Sequence, residues 1–127
     1  MDAPYFLIAD DTPGKQFYLR SLLKKSHFPA KVVVAGTTKE SEEMIAKMSN
    51  IVGAFVDYRM PQTGGIPVVE MLRRTHPHAR IALITASTGD AMELQAQRAG
   101  ADITISTAYP ENFVTERILK LLDEWKK

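Results

Sequence analysis

Asp57 closes the apolar run Ile51-Val52-Gly53-Ala54-Phe55-Val56 and is followed at once by Tyr58-Arg59-Met60-Pro61-Gln62-Thr63-Gly64-Gly65. A carboxylate there leaves a buried strand and enters a turn-rich loop. Tyr5-Phe6-Leu7-Ile8-Ala9 runs into Asp10-Asp11 in the same manner, and Ile81-Ala82-Leu83-Ile84 runs into Thr85. Where such strand ends converge, the three carboxylates share one cleft, and they stay ionised cheaply only if a cation or protons compensate them. With no cysteine and no convergent histidine, the oxygen donors favour a hard ion such as Mg²⁺ or Mn²⁺. Such an ion keeps several waters and commonly binds a carboxylate pair together with phosphate oxygens. A centre of this kind neutralises an incoming phosphoryl group while Asp57 attacks it as a carboxylate nucleophile, with the Thr85 hydroxyl donating to a phosphoryl oxygen.

The elements that must position these residues alternate along the chain. Short apolar runs over 5–9, 31–35, 51–56, 80–84 and 103–106 read as strands, and helix-period segments over 13–26, 38–48, 65–75, 90–99 and 111–125 follow each in turn. Strands apolar at nearly every residue, such as Val32-Val33-Val34, suit a parallel sheet covered on both faces. The expected architecture is therefore an open, doubly wound α/β sandwich on a five-stranded parallel sheet. Because parallel strands joined by right-handed crossovers all end on one edge, Asp10, Asp11, Asp57, Thr85 and Thr107 are expected to meet there. Thr12-Pro13 predicts an N-cap with a first-turn proline, and Thr37 with Glu40 has the spacing of a capping box. Tyr18, Leu19 and Leu22 form the apolar face of the first helix, and Val114, Ile118, Leu121, Leu122 and Trp125 that of the last. The stripe Ala91, Met92, Leu94, Ala96, Ala99 is weak, so the fourth helix should be the least firmly anchored.

Composition narrows the function classes. A chain of 127 residues, 45% hydrophobic and 24% charged, is long enough for one sizeable core and short for two, so residues 1–127 are expected to form one domain. Sixteen Lys and Arg against fifteen Asp and Glu leave a formal charge of +1, with the basic residues scattered, which argues against nucleic-acid binding. The absence of cysteine fits a reducing compartment. No basic segment leads a long apolar core at the N-terminus, and no apolar run approaches membrane-spanning length, so a soluble cytoplasmic protein without membrane contact is the expectation.

The residues quoted, together with Met60-Pro61 and Gly65 after Asp57, Thr85-Ala86, and Gly100-Ala101-Asp102 before the fifth strand, resemble response-regulator receiver domains of the single-domain chemotaxis type. The resemblance runs over nearly the whole chain. It implies a flavodoxin-like strand order 2-1-3-4-5 and phosphorylation of Asp57 by a sensor histidine kinase or phosphotransfer protein. It also implies Mg²⁺ (or Mn²⁺) held by Asp11, Asp57 and the backbone carbonyl of Arg59, with Asp10 acting through a metal-bound water. Such a domain signals to a downstream protein through helix four, strand five and helix five. It is a phospho-accepting switch, with only self-phosphorylation and autodephosphorylation as its chemistry, rather than an enzyme with turnover.

One departure stands out. Where the family carries a Lys-Pro pair, this chain has Thr107-Ala108, and the usual aromatic of strand five is replaced by Thr104. Losing a charge-assisted hydrogen bond costs roughly 1.5–3 kcal/mol, about one to two powers of ten in rate if all of it appears in the transition state. Arg59 and Lys15 are the cations placed to substitute, and for each a solvated surface charge is a reading of at least equal weight. Thr107 favours a second function, a pseudo-receiver that works as a phosphorylation-independent interaction module; the intact acidic triad opposes it. A haloacid-dehalogenase-like phosphatase would need a second Asp where Arg59 stands, and a flavin phosphate would meet the charge of Asp10 and Asp11. Among the remaining residues, His27, His76 and His78 are expected to face solvent, Phe17 to be a partly covered aromatic at the edge of its helix stripe, and Met44 and Met48 to be core. The Thr85 hydroxyl is as well explained by a local cap as by phosphoryl binding.

Overall fold

The computed structural model describes residues 3–87 and 89–127. Its elements alternate strictly: β1 (Tyr5–Ala9), α1 (Pro13–Lys25), β2 (Lys31–Ala35), α2 (Thr38–Lys47), β3 (Ile51–Asp57), α3 (Ile66–Thr75), β4 (Arg80–Thr85), α4 (Asp90–Ala99), β5 (Ile103–Ser106) and α5 (Glu111–Trp125). The strands form one parallel sheet in the order β2-β1-β3-β4-β5, as expected. Pairing of Ala9 with both Ala35 and Val56, and of Asp57 with Ile84, brings the carboxyl ends of β1, β3 and β4 to a common edge. The chain reverses its direction of winding between β2 and β3, so the crevice of this sheet opens beside β1 and β3.

Strand alternation divides the core. Phe6, Ile8, Phe55, Ala82, Ile84 and Ile105 pack beneath α1 and α5 with Leu19, Leu22, Leu23, Val114, Ile118 and Leu122. Leu7, Ala9, Ala54, Val56, Ile81 and Leu83 face α2, α3 and α4, against Ile45, Val68, Val69, Leu72 and Ala96. Gly53 is required by the first layer, since a Cβ there would stand 2.5 Å from the Phe6 ring. Only Ala96 and Ala99 of α4 are buried, which agrees with its weak stripe. Gly100 ends α4 at φ 114°, in the left-handed region, and a Cβ there would meet the Arg73 side chain at 2.7 Å.

Several local expectations need correction. Thr12 makes no side-chain cap; instead Asp10 Oδ1 accepts from the Thr12 N–H at 2.9 Å, because the strand-end carboxylate lies closer to the turn. Thr37 Oγ1 accepts from the Glu40 N–H at 3.0 Å, but Glu40 Oε1 accepts from Gly36 N–H at 2.8 Å, so the reciprocal half of the capping box is displaced by one residue. His76 is buried rather than solvent-facing. It ends α3 with Nε2 2.7 Å from the Met48 carbonyl and Nδ1 3.0 Å from Thr75 Oγ1, contacts the adjacent Pro77 gave no hint of. Phe17 is 73% exposed, since the turn that aims Leu19, Leu22 and Leu23 at the sheet carries residue 17 to the opposite side of α1. Met44 and Met48 pack against the core while partly exposed, and His27 and His78 are exposed.

Candidate functional site

The carboxyl edge of the sheet brings the strand-end acids together. Asp10, Asp11 and Asp57 each present an oxygen, and the three lie within 4.8 Å of one another. Asp10 and Asp57 are buried, whereas Asp11 is exposed and lines an open 480 Å³ cleft with Tyr58, Arg59, Pro61, Gly65 and Gln95. Main-chain bonds carry β1 and β3 into their loops in fixed register: the Asp10 N–H donates to the Ala35 carbonyl at 2.9 Å and the Tyr58 N–H to the Ile84 carbonyl at 2.8 Å. Beside the first of these, Gln16 Nε2 donates to the Asp10 carbonyl at 2.5 Å.

The loop after Asp57 is held tightly. Met60 plugs it into the core, and Thr38 Oγ1 donates toward the carbonyls of Pro61 (3.1 Å) and Gly64 (2.8 Å). Gly65 closes it, its N–H donating to the Tyr58 carbonyl at 3.0 Å. A Cβ at Gly65 would lie 2.1 Å from the Asp57 carbonyl oxygen, which is why no larger residue fits. Sequence alone does not point to Thr38: a threonine at the start of α2 gives no sign that its partner is a loop more than twenty residues ahead.

Burial dominates the electrostatics. Desolvation pushes the Asp10 carboxyl above the ordinary carboxylate range; the Thr12 N–H and the Lys15 ammonium oppose this, and the charges of Asp57 and Asp11 add to it. Asp57 is likewise raised, chiefly by burial, against the pull of Lys15 and of the Arg59 backbone N–H. The Lys15 Nζ donates to Asp57 Oδ1 at 3.2 Å and stands 3.5 Å from Asp10 Oδ2. At that longer distance Asp10 Oδ2 has no hydrogen bond among the described residues, a buried oxygen left wanting a donor or an ion. Lys15 is therefore paired with the buried acids and not a solvated surface charge, while Arg59 is exposed and lines the open cleft without an ion pair to them among the described residues.

Thr85 is buried at the end of β4, one residue past the partner of Asp57. Its Oγ1 accepts from the Ser87 N–H at 3.0 Å, a local cap that leaves the hydroxyl hydrogen to donate elsewhere. Thr107 turns inward on its own neighbour: its N–H and its Oγ1 both donate to the Thr85 carbonyl, at 2.7 and 3.3 Å. Among the described residues, β5 and the turn after it send no ion-pairing cation to the three acids. The donor set suits a hard divalent ion, being carboxylate oxygens within a few ångströms of one another with one buried oxygen unbonded.

A doubly wound parallel sheet with an acidic crevice at its switch point defines a fold class, the open α/β domains that bind ligands at the carboxyl edge of the sheet. Within it, the response regulator receiver domain family matches residues 6–119, and the chain belongs to that family of two-component systems. Chemotaxis protein CheY of Thermotoga maritima is 26% identical over 117 residues, 91% of this chain and 94% of that protein. The photosynthetic apparatus regulatory protein RegA of Rhodovulum sulfidophilum is 30% identical over 120 residues, 93% of this chain but 62% of its own length, so this chain spans under two thirds of that relative. Among solved structures, a CheY-like receiver domain protein from Methanospirillum hungatei shares the fold at a TM-score of 0.78 with 22% identity, covering 98% of each chain. Receiver domains bind Mg²⁺ or Mn²⁺ at an acidic pocket, and the family is a phospho-accepting one that interacts with histidine kinases or phosphotransfer proteins and with downstream effectors. Among the described residues no helix is long and apolar enough to cross a membrane.

Proposed function

We propose that residues 1–127 form one receiver domain that accepts a phosphoryl group on Asp57 from a sensor histidine kinase or phosphotransfer protein, in a Mg²⁺- or Mn²⁺-dependent reaction. The observation that carries this reading is the approach of Asp10, Asp11 and Asp57 within 4.8 Å at the mouth of an open cleft. Asp11, Asp57 and the Arg59 backbone carbonyl would hold the ion, with Asp10 acting through a water. A bound ion supplies charge neutralisation between the carboxylates and the phosphoryl oxygens. Asp57 provides the nucleophilic oxygen, Thr85 donates from its buried hydroxyl to a phosphoryl oxygen, and the rigid Tyr58–Gly65 loop keeps the acceptor in register. Output passes to a downstream protein through the surface of α4, β5 and α5. The reading places the protein in the cytoplasm, with no nucleic acid, no membrane and no turnover of a released substrate.

A specific observation favours a second reading. Thr107 is neutral, and its N–H and hydroxyl are both directed at the Thr85 carbonyl, which suits a pseudo-receiver acting through protein contact alone. Incubation with Mg²⁺ and acetyl phosphate, followed by intact-mass measurement, separates the two. A phosphate-sized gain in the wild type and none in Asp57→Ala supports the phospho-acceptor; no gain in either supports the pseudo-receiver.

A further inference from the structure

We propose that Lys15, reaching across from the first turn of α1, supplies the ammonium that the phosphoryl-accepting site lacks at Thr107, and that it acts as a catalytic residue for transfer to Asp57. The inference rests on the phospho-acceptor reading. Lys15 Nζ is hydrogen-bonded to Asp57 Oδ1 at 3.2 Å and lies 3.5 Å from Asp10 Oδ2, and among the described residues it makes the only Lys or Arg ion pairs with the three acids. Its side chain is 23% exposed, enough burial for the charge to be felt strongly and enough freedom for the head group to move.

The placement follows from the fold. Asp57 shares strand parity with Phe55, which packs on the α1 and α5 side of the sheet, so its carboxylate is accessible to the start of α1. Helix α1 begins at Pro13, and Lys15 lies in its first turn, over the ends of β1 and β3. A 260 Å³ cavity on the same side is lined by Lys15, Tyr18, Ile84, Thr107, Tyr109 and Glu111. It gives the side chain room to shift beside the acids, and Glu111 is an acidic residue of the same lining.

In the transfer step an Asp57 carboxylate oxygen forms a bond to phosphorus as the P–N bond of a phosphohistidine, or the P–O bond of an acyl phosphate, breaks. The donor departs with that electron pair; an imidazole leaving group takes its proton from solvent, and no atom changes oxidation state. The Asp57 oxygen gives up charge as it bonds to phosphorus, but the phosphoryl group brings its own anionic oxygens beside Lys15, so the ammonium meets more negative charge in the transition state than in the free acceptor. The same ammonium is a tethered rival to a divalent ion for the carboxylates. Two signatures follow, with opposite signs: removing Lys15 should slow transfer and tighten metal binding.

The test uses wild type, Lys15→Met, Lys15→Arg and the double variant Lys15→Met/Thr107→Lys. Phosphate gain from acetyl phosphate with Mg²⁺ is followed by intact mass, and Mn²⁺ affinity is measured separately by electron paramagnetic resonance titration. Lys15→Met should gain phosphate roughly ten- to a hundred-fold more slowly and bind Mn²⁺ about three- to tenfold more tightly. Lys15→Arg should retain most of the rate, and in the double variant the lysine returned at position 107 should recover much of it. Wild-type rate and Mn²⁺ affinity in Lys15→Met would overturn the proposal, as would a rate loss accompanied by weaker metal binding and no rescue. Failure of the underlying reading looks different, since the wild type itself would then gain no phosphate and both would fall.

Discussion

The two edges of the sheet handle buried polarity in opposite ways. At the amino edge the polar groups are paired. Asp102 accepts from Arg73 at 3.0 Å and from the Ile81 N–H at 2.7 Å, His76 bonds to Met48 and Thr75, and Phe6 stacks edge-on with Phe28 and Phe55 at 5.2 and 4.8 Å. At the carboxyl edge three acids crowd together, and among the described residues one buried oxygen lacks a hydrogen bond and a single lysine pairs with them. One edge is built for stability and the other for binding, and the second draws on the first: local charge repulsion persists only where the surrounding packing over-determines it.

The sharpest way to break this contrast is Phe6→Ala. Phe6 is fully buried, so its truncation should cost about 3–5 kcal/mol in urea unfolding while leaving the acidic cleft able to bind Mg²⁺. A small loss would mean that the amino edge does not carry the fold.

Asp10→Asn should do the reverse and stabilise the protein by about 1–2 kcal/mol near neutral pH without divalent ions, because it removes a desolvated charge. The pH dependence gives the sign. The Asp10 carboxyl is raised above the ordinary value of 3.8, so as pH rises through the window between its unfolded and folded values the native state holds more protons than the unfolded one, and stability falls. The advantage of Asp10→Asn should therefore be smallest at acid pH, grow upward through that window and level off above the folded value. An advantage that stays flat would mean that Lys15 fully compensates the charge, and one that shrinks as pH rises that it more than compensates it.

Mg²⁺ should offset the same strain. At tenfold excess over its Kd, an ion binding only the native state adds about 1.4 kcal/mol. A chelator should reverse the gain, Phe6→Ala should keep it and Asp57→Asn should lose most of it, as read by thermal unfolding. The smallest effect belongs to Asp102→Asn, expected to cost about 0.5–1 kcal/mol because the pair is partly exposed, with the loss reduced at high salt. A salt-independent loss would point to the Ile81 bond as the larger share.

How much of this was visible without coordinates depends on the range of the interaction. Strand and helix positions came within about a residue, since they rest on apolar period, first-turn proline and helix-ending glycine, all local signals. The convergence of Asp10, Asp11, Asp57 and Thr85 was equally accessible, because parallel strands with right-handed crossovers leave one edge for all their carboxyl ends. His76 and Phe17 depart from expectation for a shared reason: whether a side chain is covered depends on the neighbouring element, which sequence spacing does not supply.

By itself the sequence determined the fold class, the strand order through its resemblance, and the set of acids that could form a phosphorylation site, because each is written in residue type and period. Tertiary structure alone decided which cation answers those acids. Lys15 and Arg59 were equal candidates as text, yet α1 crosses the sheet so that Lys15 Nζ lands 3.2 Å from Asp57, while Arg59 stays at the solvent edge. The direction of a flexible, four-carbon side chain is set by the packing of the helix beneath it and by the charges it finds at its tip.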